Sequence, residues 1–271
     1  MTGVRRRAFF LDAQGGGRFC TLLEPATAAC GNLLLVPPFA EELNKSRRML
    51  ALAAAAFARS GWRVLHIDLL GTGDSAGEFR DASWTTWLDD LSCGRDFLQH
   101  GADLPLVLWS LRAGSLLCAQ WQAREGTALP WLAWQAVAQG RQHVQQFLRL
   151  KGVSEMLNDA DAKAVMSNLR AEIAAGAVVE VAGYELAPQL LGGLDCAVLE
   201  QPPAATLLLE VGSGDGGLSP GLQRLLERWR DGGAAVDAGS VPGSAFWQTQ
   251  EIETVPALID ASLPWLAARG A

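Results

Sequence analysis

The chain has 271 residues, of which 49% are hydrophobic, and its formal net charge is −7; this suits one α/β domain with an insertion or two small domains. The acidic balance argues against nucleic acid as a partner, and because no apolar run is long enough to cross a bilayer, we expect no membrane insertion. Five scattered cysteines without a CxxC pair are typical of reduced thiols in a cytoplasmic protein. Three histidines without an HExxH motif give no support for a metal site. We also expect no cofactor.

Buried strands alternate with helices through the first half of the chain. The run "NLLLVPP" is apolar until its two prolines, which is typical of a strand buried on both faces. The alanine-rich segment that follows it ends at a glycine, as helices often do. In chain order we predict a hairpin at 9–12 and 19–23, strands at 32–38, 62–68, 104–109 and 132–137, and helices at 46–60, 83–99 and 113–124.

This alternation stops at residue 140 and resumes near residue 205. The intervening stretch has helical patterning and a single strand-like piece, "AVVEVAGYEL", so we interpret it as a helical cap inserted over the sheet. A strand at 205–212, a helix at 218–230, a weak strand at 234–238 and a helix at 255–268 complete the pattern. The predicted fold class is α/β, a mostly parallel central sheet flanked by helices, with a core formed by residues 1–139 and 200–271 and a cap formed by residues 140–199.

One loop at the carboxyl end of the predicted sheet, where open α/β sheets bind ligands, has an unusual residue at its apex. In "LWSLRAG" the strand ends and the chain turns at Arg112, with the small residues Ser110 and Gly114 two positions before and after it. This is the spacing of a nucleophile elbow, in which small flanking residues allow a sharp turn. An arginine stays protonated and cannot act as a nucleophile.

The whole chain resembles an α/β-hydrolase and, more narrowly, the family named exosortase A system-associated hydrolase 2. The motifs that carry this resemblance are "VPPFAEELNKSRRM" at 36–49, "DLLGTGDSAGEF" at 68–79, "LWSLRAG" at 108–114, "QQFLRL" at 145–150 and "VPGSAFWQTQEIE" at 241–253. The resemblance implies an α/β-hydrolase fold and a cytoplasmic accessory protein of the bacterial systems that pair exopolysaccharide synthesis with the sorting of PEP-CTERM proteins. The word hydrolase in the family's name rests on the fold and implies little about chemistry.

A Ser-His-Asp mechanism needs residues that the matching positions lack. Asp215 or Glu210, near the end of a late strand, could supply the acid, but "VPGSAFWQTQ", where the triad histidine would lie, contains no histidine. His143 alone could lean over the pocket from the cap, although a lone histidine there is more often a surface residue. We interpret Ser110 and Ser115, which lie off the apex, as packing residues.

We nevertheless predict a pocket around Arg112. Phe39 and Ala40 occupy the place where α/β-hydrolases provide an oxyanion-hole N–H. Arg112 begins a helix, whose dipole disfavours a cation by roughly 0.3–1 kcal/mol, and burying it unpaired would cost more. We therefore expect its guanidinium to meet the carboxylate of Glu41 or Glu42, or else a bound carboxylate or phosphate. The predicted pocket comprises Phe39, Ala40, Glu41, Glu42, Arg112, Ala113 and Trp247.

Three functions fit these residues. The chain could be a degenerate hydrolase that binds an acyl, sugar or anionic ligand, or a protein partner, without turnover. It could instead be an active ester or thioester hydrolase in which a carboxylate such as Glu41 or Asp215 acts on water. It could also be a non-catalytic subunit of a hetero-oligomeric hydrolase.

Overall fold

A mostly parallel sheet forms the centre of the computed structural model, which describes residues 3–100, 103–156, 162–212 and 217–270. The described strands are β1 (Arg5–Ala13), β2 (Gly16–Glu24), β3 (Gly31–Val36), β4 (Trp62–Ile67), β5 (Leu106–Leu111), β6 (Trp131–Trp134), β7 (Val179–Val181), β8 (Tyr184–Leu186), β9 (Thr206–Gly212) and β10 (Val236–Pro242). The main sheet has the order β1-β2-β4-β3-β5-β6-β9-β10. Its β1–β2 and β2–β4 pairs are antiparallel and the other pairs are parallel.

Helices cover both faces of this sheet. They are α1 (Glu41–Arg59), α2 (Trp84–Gln99), α3 (Gly114–Glu125), α4 (Gly140–Met156), α5 (Ala162–Ala174), α6 (Pro188–Cys196), α7 (Pro220–Asp231) and α8 (Pro256–Ala267). Helices α1 and α8 pack on one face, and α2, α3 and α7 pack on the other. This arrangement confirms the predicted fold class. Within the described ranges, no helix is long and apolar enough to span a bilayer.

Strand β5 shows why the sequence of the central strands is largely apolar. Leu106 and Leu108 pack in the hydrophobic cluster under α2 and α3, whereas Val107, Trp109 and Leu111 pack in the cluster under α1 and α8. Successive side chains of a strand point to opposite faces, so a strand with helices on both sides is apolar at most positions, and the buried Ser110 is paired with the indole N–H of Trp131. The end of β5 is thereby fixed between two cores.

The described residues of the segment 140–199 form α4, α5, the hairpin β7–β8 and α6. The two ends of this segment meet, because Gly140 N–H donates to Ala197 O at 2.8 Å and Gln139 forms an isolated bridge with Val198. Gly140 lies so close to α6 that a Cβ on it would be 1.7 Å from Leu194 O. We call residues 140–199 the cap.

Some element boundaries differ from those predicted. The strand expected at 132–137 ends at Trp134, because Gln135 adopts a positive φ of 46° and turns the chain away from the sheet. The last strand is β10 at Val236–Pro242, not 234–238. Its sequence VDAGSVP has no regular apolar pattern and is extended because it pairs in parallel with β9. In the cap, the single strand-like piece is a hairpin that turns at Ala182 and Gly183, both with positive φ.

Candidate functional site

Arg112 is the apex of the turn between β5 and α3. Its φ is 53°, a left-handed conformation that costs a non-glycine residue about 1–2 kcal/mol. Two backbone hydrogen bonds hold this conformation: Arg112 N–H donates to Trp134 O, and Ser115 N–H donates to Arg112 O, both at 3.0 Å. Gly114 packs against the end of β3, where a Cβ would lie 2.5 Å from Val36 O. The small-x-Arg-x-small pattern therefore forms a sharp elbow with an arginine at its tip.

The two serines beside the apex are engaged in structural hydrogen bonds. Ser110 is fully buried and accepts from the indole N–H of Trp131 at 2.9 Å. The Ser115 hydroxyl donates to Arg112 O at 2.7 Å and accepts from Val137 N–H at 3.0 Å. The Ser110 hydroxyl links β5 to β6, the Ser115 hydroxyl links the elbow to the loop after β6, and neither occupies the nucleophile position.

The guanidinium of Arg112 meets Glu42 in the first turn of α1. Arg112 Nε lies 3.0 Å from Glu42 Oε1, and the two side chains are 15% and 16% exposed. Arg112 Cζ also lies 5.3 Å from the centroid of the Trp247 ring, within cation–π range. Burial raises the pKa of the Glu42 carboxyl, and the charge of Arg112 opposes that shift. This contact uses Nε alone. The other two guanidinium nitrogens, Nη1 and Nη2, make no hydrogen bond to the described residues.

His143 lies on the opposite wall of the same site. It is 4% exposed, and its Nε2 is 3.8 Å from Glu42 Oε2, which is too long for a hydrogen bond. Burial, followed by the nearby charge of Arg112, lowers the pKa of His143 to about 3. The imidazole is therefore neutral at physiological pH, with one ring nitrogen as a donor and the other as an acceptor.

These groups line a cavity of about 180 Å³, which we call the Arg112 cavity. The core contributes Glu41, Glu42, Lys45, Arg112, Trp247 and Gln248. Helix α4 of the cap contributes His143, Gln146, Phe147 and Leu150. The cavity thus has a polar end, where the ion pair and the imidazole meet, and apolar walls. Within the described ranges, no group of three or more His, Cys, Asp or Glu residues is placed to hold a metal ion.

The other predicted pocket residues, Phe39, Ala40 and Ala113, do not line this cavity. Phe39 is buried and packs edge-on against Phe147, with ring centroids 5.2 Å apart. Ala40 precedes α1 with a φ of 49°, and Ala113 is buried at the start of α3. Phe39 therefore supports the cap, and the two alanines shape the backbone under the cavity.

Of the two candidate triad acids, Glu210 lies among the described residues and Asp215 lies outside them. Glu210 accepts hydrogen bonds from the backbone N–H and the hydroxyl of Ser219, each at 2.7 Å, so it holds the start of α7. Glu210 therefore serves the packing of a helix and not the elbow.

The contribution of α4 was missed by the sequence reasoning. The sequence allows His143 to lean over the pocket but favours a surface position for it, and it gives no pocket role to Gln146, Phe147 or Leu150. Their spacing of three, four and seven residues from His143 places all four on one face of a helix. That periodicity could have shown that they act together, although it does not say which part of the core they face.

Comparison with known proteins identifies the fold. No protein-family model matches the chain, and no curated protein matches it. Among solved structures, it is similar to Est1E from Butyrivibrio proteoclasticus with bound ferulic acid, at 15% identity and a TM-score of 0.71, covering 97% of this chain and 99% of that one. It is also similar to a thermostable carboxyl esterase from Bacillus coagulans, at 13% identity and a TM-score of 0.62, covering 99% of both chains. A proline iminopeptidase-related protein from Thermus thermophilus has 15% identity and a TM-score of 0.63, covering 98% and 99%. These similarities establish the α/β-hydrolase fold.

Proposed function

From an α/β-hydrolase fold whose elbow carries an arginine, we propose that this chain binds a small ligand in the Arg112 cavity without Ser-His-Asp catalysis. The observation that carries the proposal is the elbow itself: Arg112 stands at the nucleophile position and is paired with Glu42 at 3.0 Å. A guanidinium in that position can orient or bind a ligand but cannot attack a carbonyl. The fold thus provides a cavity at its usual ligand-binding edge with the nucleophile replaced by a binding group.

A second feature supports binding without triad chemistry. The segment after β10 contains no histidine, and Trp247 from that segment contacts the Arg112 guanidinium. Together with the engaged hydroxyls of Ser110 and Ser115, this supports a site that works without a nucleophile and a base in the triad positions.

We further propose that the chain acts in the cytoplasm as an accessory protein of an exosortase A and exopolysaccharide system, with an acyl, sugar or anionic compound or a protein partner as its ligand. The support is the position of the motifs that carry this resemblance. Four of the five contribute residues to the Arg112 cavity: 36–49, 108–114, 145–150 and 241–253. Segments that are far apart in the chain and share a resemblance to one family therefore converge on one site.

The proposal is tested by exposing the purified chain to a fluorophosphonate probe and to a panel of acyl esters and acyl thioesters. We expect no covalent labelling, because an activated serine needs a base that the elbow lacks, and no hydrolysis above the buffer rate. Labelling of Ser110 or Ser115 that also blocks an activity would show that the elbow works as a serine hydrolase.

A second candidate function is supported by Glu42. Its Oε2 is buried and has no hydrogen-bond partner among the described residues, and its raised pKa suits a carboxylate that acts as a general base on water. In that case Arg112 would stabilise the developing negative charge. Hydrolysis of any ester in the panel that is lost in Glu42→Gln, without fluorophosphonate labelling, would favour this alternative.

A further inference from the structure

The charges in the Arg112 cavity balance one another. Glu42 is paired with Arg112 at 3.0 Å, and Lys45 lies 3.9 Å from Glu41 Oε1 while it donates to Gln250 O at 3.4 Å. Two carboxylates and two cations therefore line the site. A bound anion would approach Arg112 beside the Glu42 carboxylate, whose repulsion offsets the attraction of the guanidinium. The site consequently provides no net positive field for a carboxylate or phosphate.

Within the described ranges, the buried hydrogen-bonding atoms of the cavity lining that lack a partner belong to Glu42, His143 and Trp247, whose indole N–H is an unpaired donor. Glu42 Oε2 and both ring nitrogens of His143 have no hydrogen-bond partner among the described residues. Buried polar atoms in folded proteins are usually paired. Glu42 Oε2 can only accept, and a neutral imidazole offers one donor and one acceptor. The gap of 3.8 Å between Glu42 Oε2 and His143 Nε2 leaves the two unable to satisfy each other directly.

A hydroxyl group matches this pair of atoms. It donates one hydrogen bond and accepts others, so one hydroxyl can donate to Glu42 while it accepts from His143 or from an Nη group of Arg112. A second hydroxyl on the neighbouring carbon would reach the remaining donors. The apolar walls, which include Phe147 and Leu150, suit the carbon skeleton of such a compound. The volume of about 180 Å³ is below the ~300–1,000 Å³ of sites for drug-sized ligands, so the ligand is small.

We propose that the Arg112 cavity binds a small uncharged polyol through two neighbouring hydroxyl groups, one held between Glu42 and His143 and the other by Arg112. The proposal rests on the proposed function, in that it takes the Arg112 cavity as the ligand site, and it adds the chemical class of the ligand.

The experiment follows the imidazole signals of the full chain by NMR during separate titrations with four probes. Glycerol and methyl β-D-glucopyranoside carry neighbouring hydroxyls, 1,3-propanediol carries two that are not neighbours, and inorganic phosphate is an anion. The chain has three histidines, so His66 and His100 serve as internal controls. We expect the two polyols with neighbouring hydroxyls to shift the His143 signals alone, and 1,3-propanediol and phosphate to leave them unchanged at the same concentration.

Two variants connect the signal to the site. His143→Phe removes both unpaired ring nitrogens, and Glu42→Gln replaces the accepting carboxylate with an amide; each should weaken polyol binding at least tenfold by isothermal titration. His100→Gln, at the end of α2, is the matched control and should bind like wild type. If either cavity variant fails to fold, the other and the His143 shift in the wild-type protein still decide the outcome.

The outcomes separate the two proposals. A His143 shift with phosphate but not with the polyols would overturn the polyol inference and leave ligand binding in the Arg112 cavity intact. Equal shifts with 1,3-propanediol would overturn the requirement for neighbouring hydroxyls. If no probe shifts His143, the polyol inference fails. If the chain then also hydrolyses an ester in the panel, the proposed function fails with it.

Discussion

The contact between Arg112 and Glu42 joins the elbow to the first turn of α1, and both partners are mostly buried. Arg112 stands near the positive end of the α3 dipole, where a cation is disfavoured. Glu42 offsets that cost, and its own burial is tolerated because of the guanidinium beside it. Each charge therefore lowers the free-energy cost of burying the other.

We predict that Arg112→Ala destabilises the protein by about 3 kcal/mol at pH 8, because it leaves the Glu42 carboxylate buried without its partner. The loss should be smaller at pH 4.5. Burial already raises the pKa of Glu42 above its usual value, and without Arg112 the folded-state pKa rises further, so the contribution of Glu42 to the stability of the variant is greatest in acid and falls as pH rises through that pKa. Urea unfolding at both pH values measures this difference.

The double variant Arg112→Ala/Glu42→Gln is the control, since a neutral glutamine removes the stranded charge and should restore part of the stability at pH 8. An Arg112→Ala variant that unfolds like wild type at every pH would show that the ion pair contributes nothing.

His143 should make the folded state sensitive to acid. Its pKa is about 3 in the folded protein and about 6.5 when unfolded, so between these values the unfolded state binds the extra proton. The stability from this group is complete above pH 6.5 and is lost as pH falls, by about 2 kcal/mol at pH 5. We expect the free energy of unfolding of His143→Gln to fall less than that of wild type between pH 7 and pH 5. Parallel pH profiles for the two proteins would contradict the lowered pKa of His143 in the folded state.

For a single residue, the sequence predicts that a buried charge requires a partner of opposite charge, but it does not identify which neighbouring residue is that partner. The need of Arg112 for an anion follows from its charge and its place at a helix start. The choice of Glu42 over Glu41 depends on the rotation of α1 about its axis, which is set by packing. The burial of His143 likewise depends on which face of α4 meets the core.

Among the elements, α4 connects the cap to the site. Gly140, its first residue, is packed against α6 so closely that a Cβ would lie 1.7 Å from Leu194 O. The ends of the cap can meet there only if this position has no side chain. The seating of α4, and with it the wall that carries His143, therefore depends on the glycine at the first position of this helix.

We predict that Gly140→Ala destabilises the protein by about 3 kcal/mol, through overpacking against a backbone atom that cannot move aside. Gly192→Ala is the matched control in the same cap, because a Cβ on Gly192 meets no atom within 4 Å. It lies within α6 and should stabilise the protein by up to about 1 kcal/mol through helix propensity. Thermal melts of both variants measure the contrast, and equal effects would show that the contact at Gly140 is relaxed at no cost.

The elements that the sequence predicted best are those with a single consistent signal. The strand β3 is apolar at nearly every position and β5 is buried throughout, so the pattern leaves little choice. The strand β10, with the sequence VDAGSVP, carries no such pattern, and its extended form comes from pairing with β9. Its boundaries were therefore misplaced because tertiary pairing overrides local preference.

For the whole molecule, the cap and the core share one hydrophobic cluster. Val144, Phe147 and Leu190 of the cap belong to the same buried cluster as Leu108 and Trp121 of the core. We therefore predict a single cooperative unfolding transition, with amide protons of α4 protected against hydrogen exchange about as strongly as those of the core helix α3. A separate early transition, or fast exchange confined to α4, would show that the cap opens independently.

The Arg112 cavity has a consequence for the order of folding events. Glu42 and Arg112 are 70 positions apart, and His143 and Trp247 come from two further parts of the chain, so the site forms only after several long loops have closed. It therefore cannot exist in a partly folded chain, and a ligand that fits it binds the finished fold alone. By mass action, such a ligand at a hundred times its Kd stabilises the protein by about 2.7 kcal/mol. A rise in Tm with ligand concentration would thus report that the cavity has been completed.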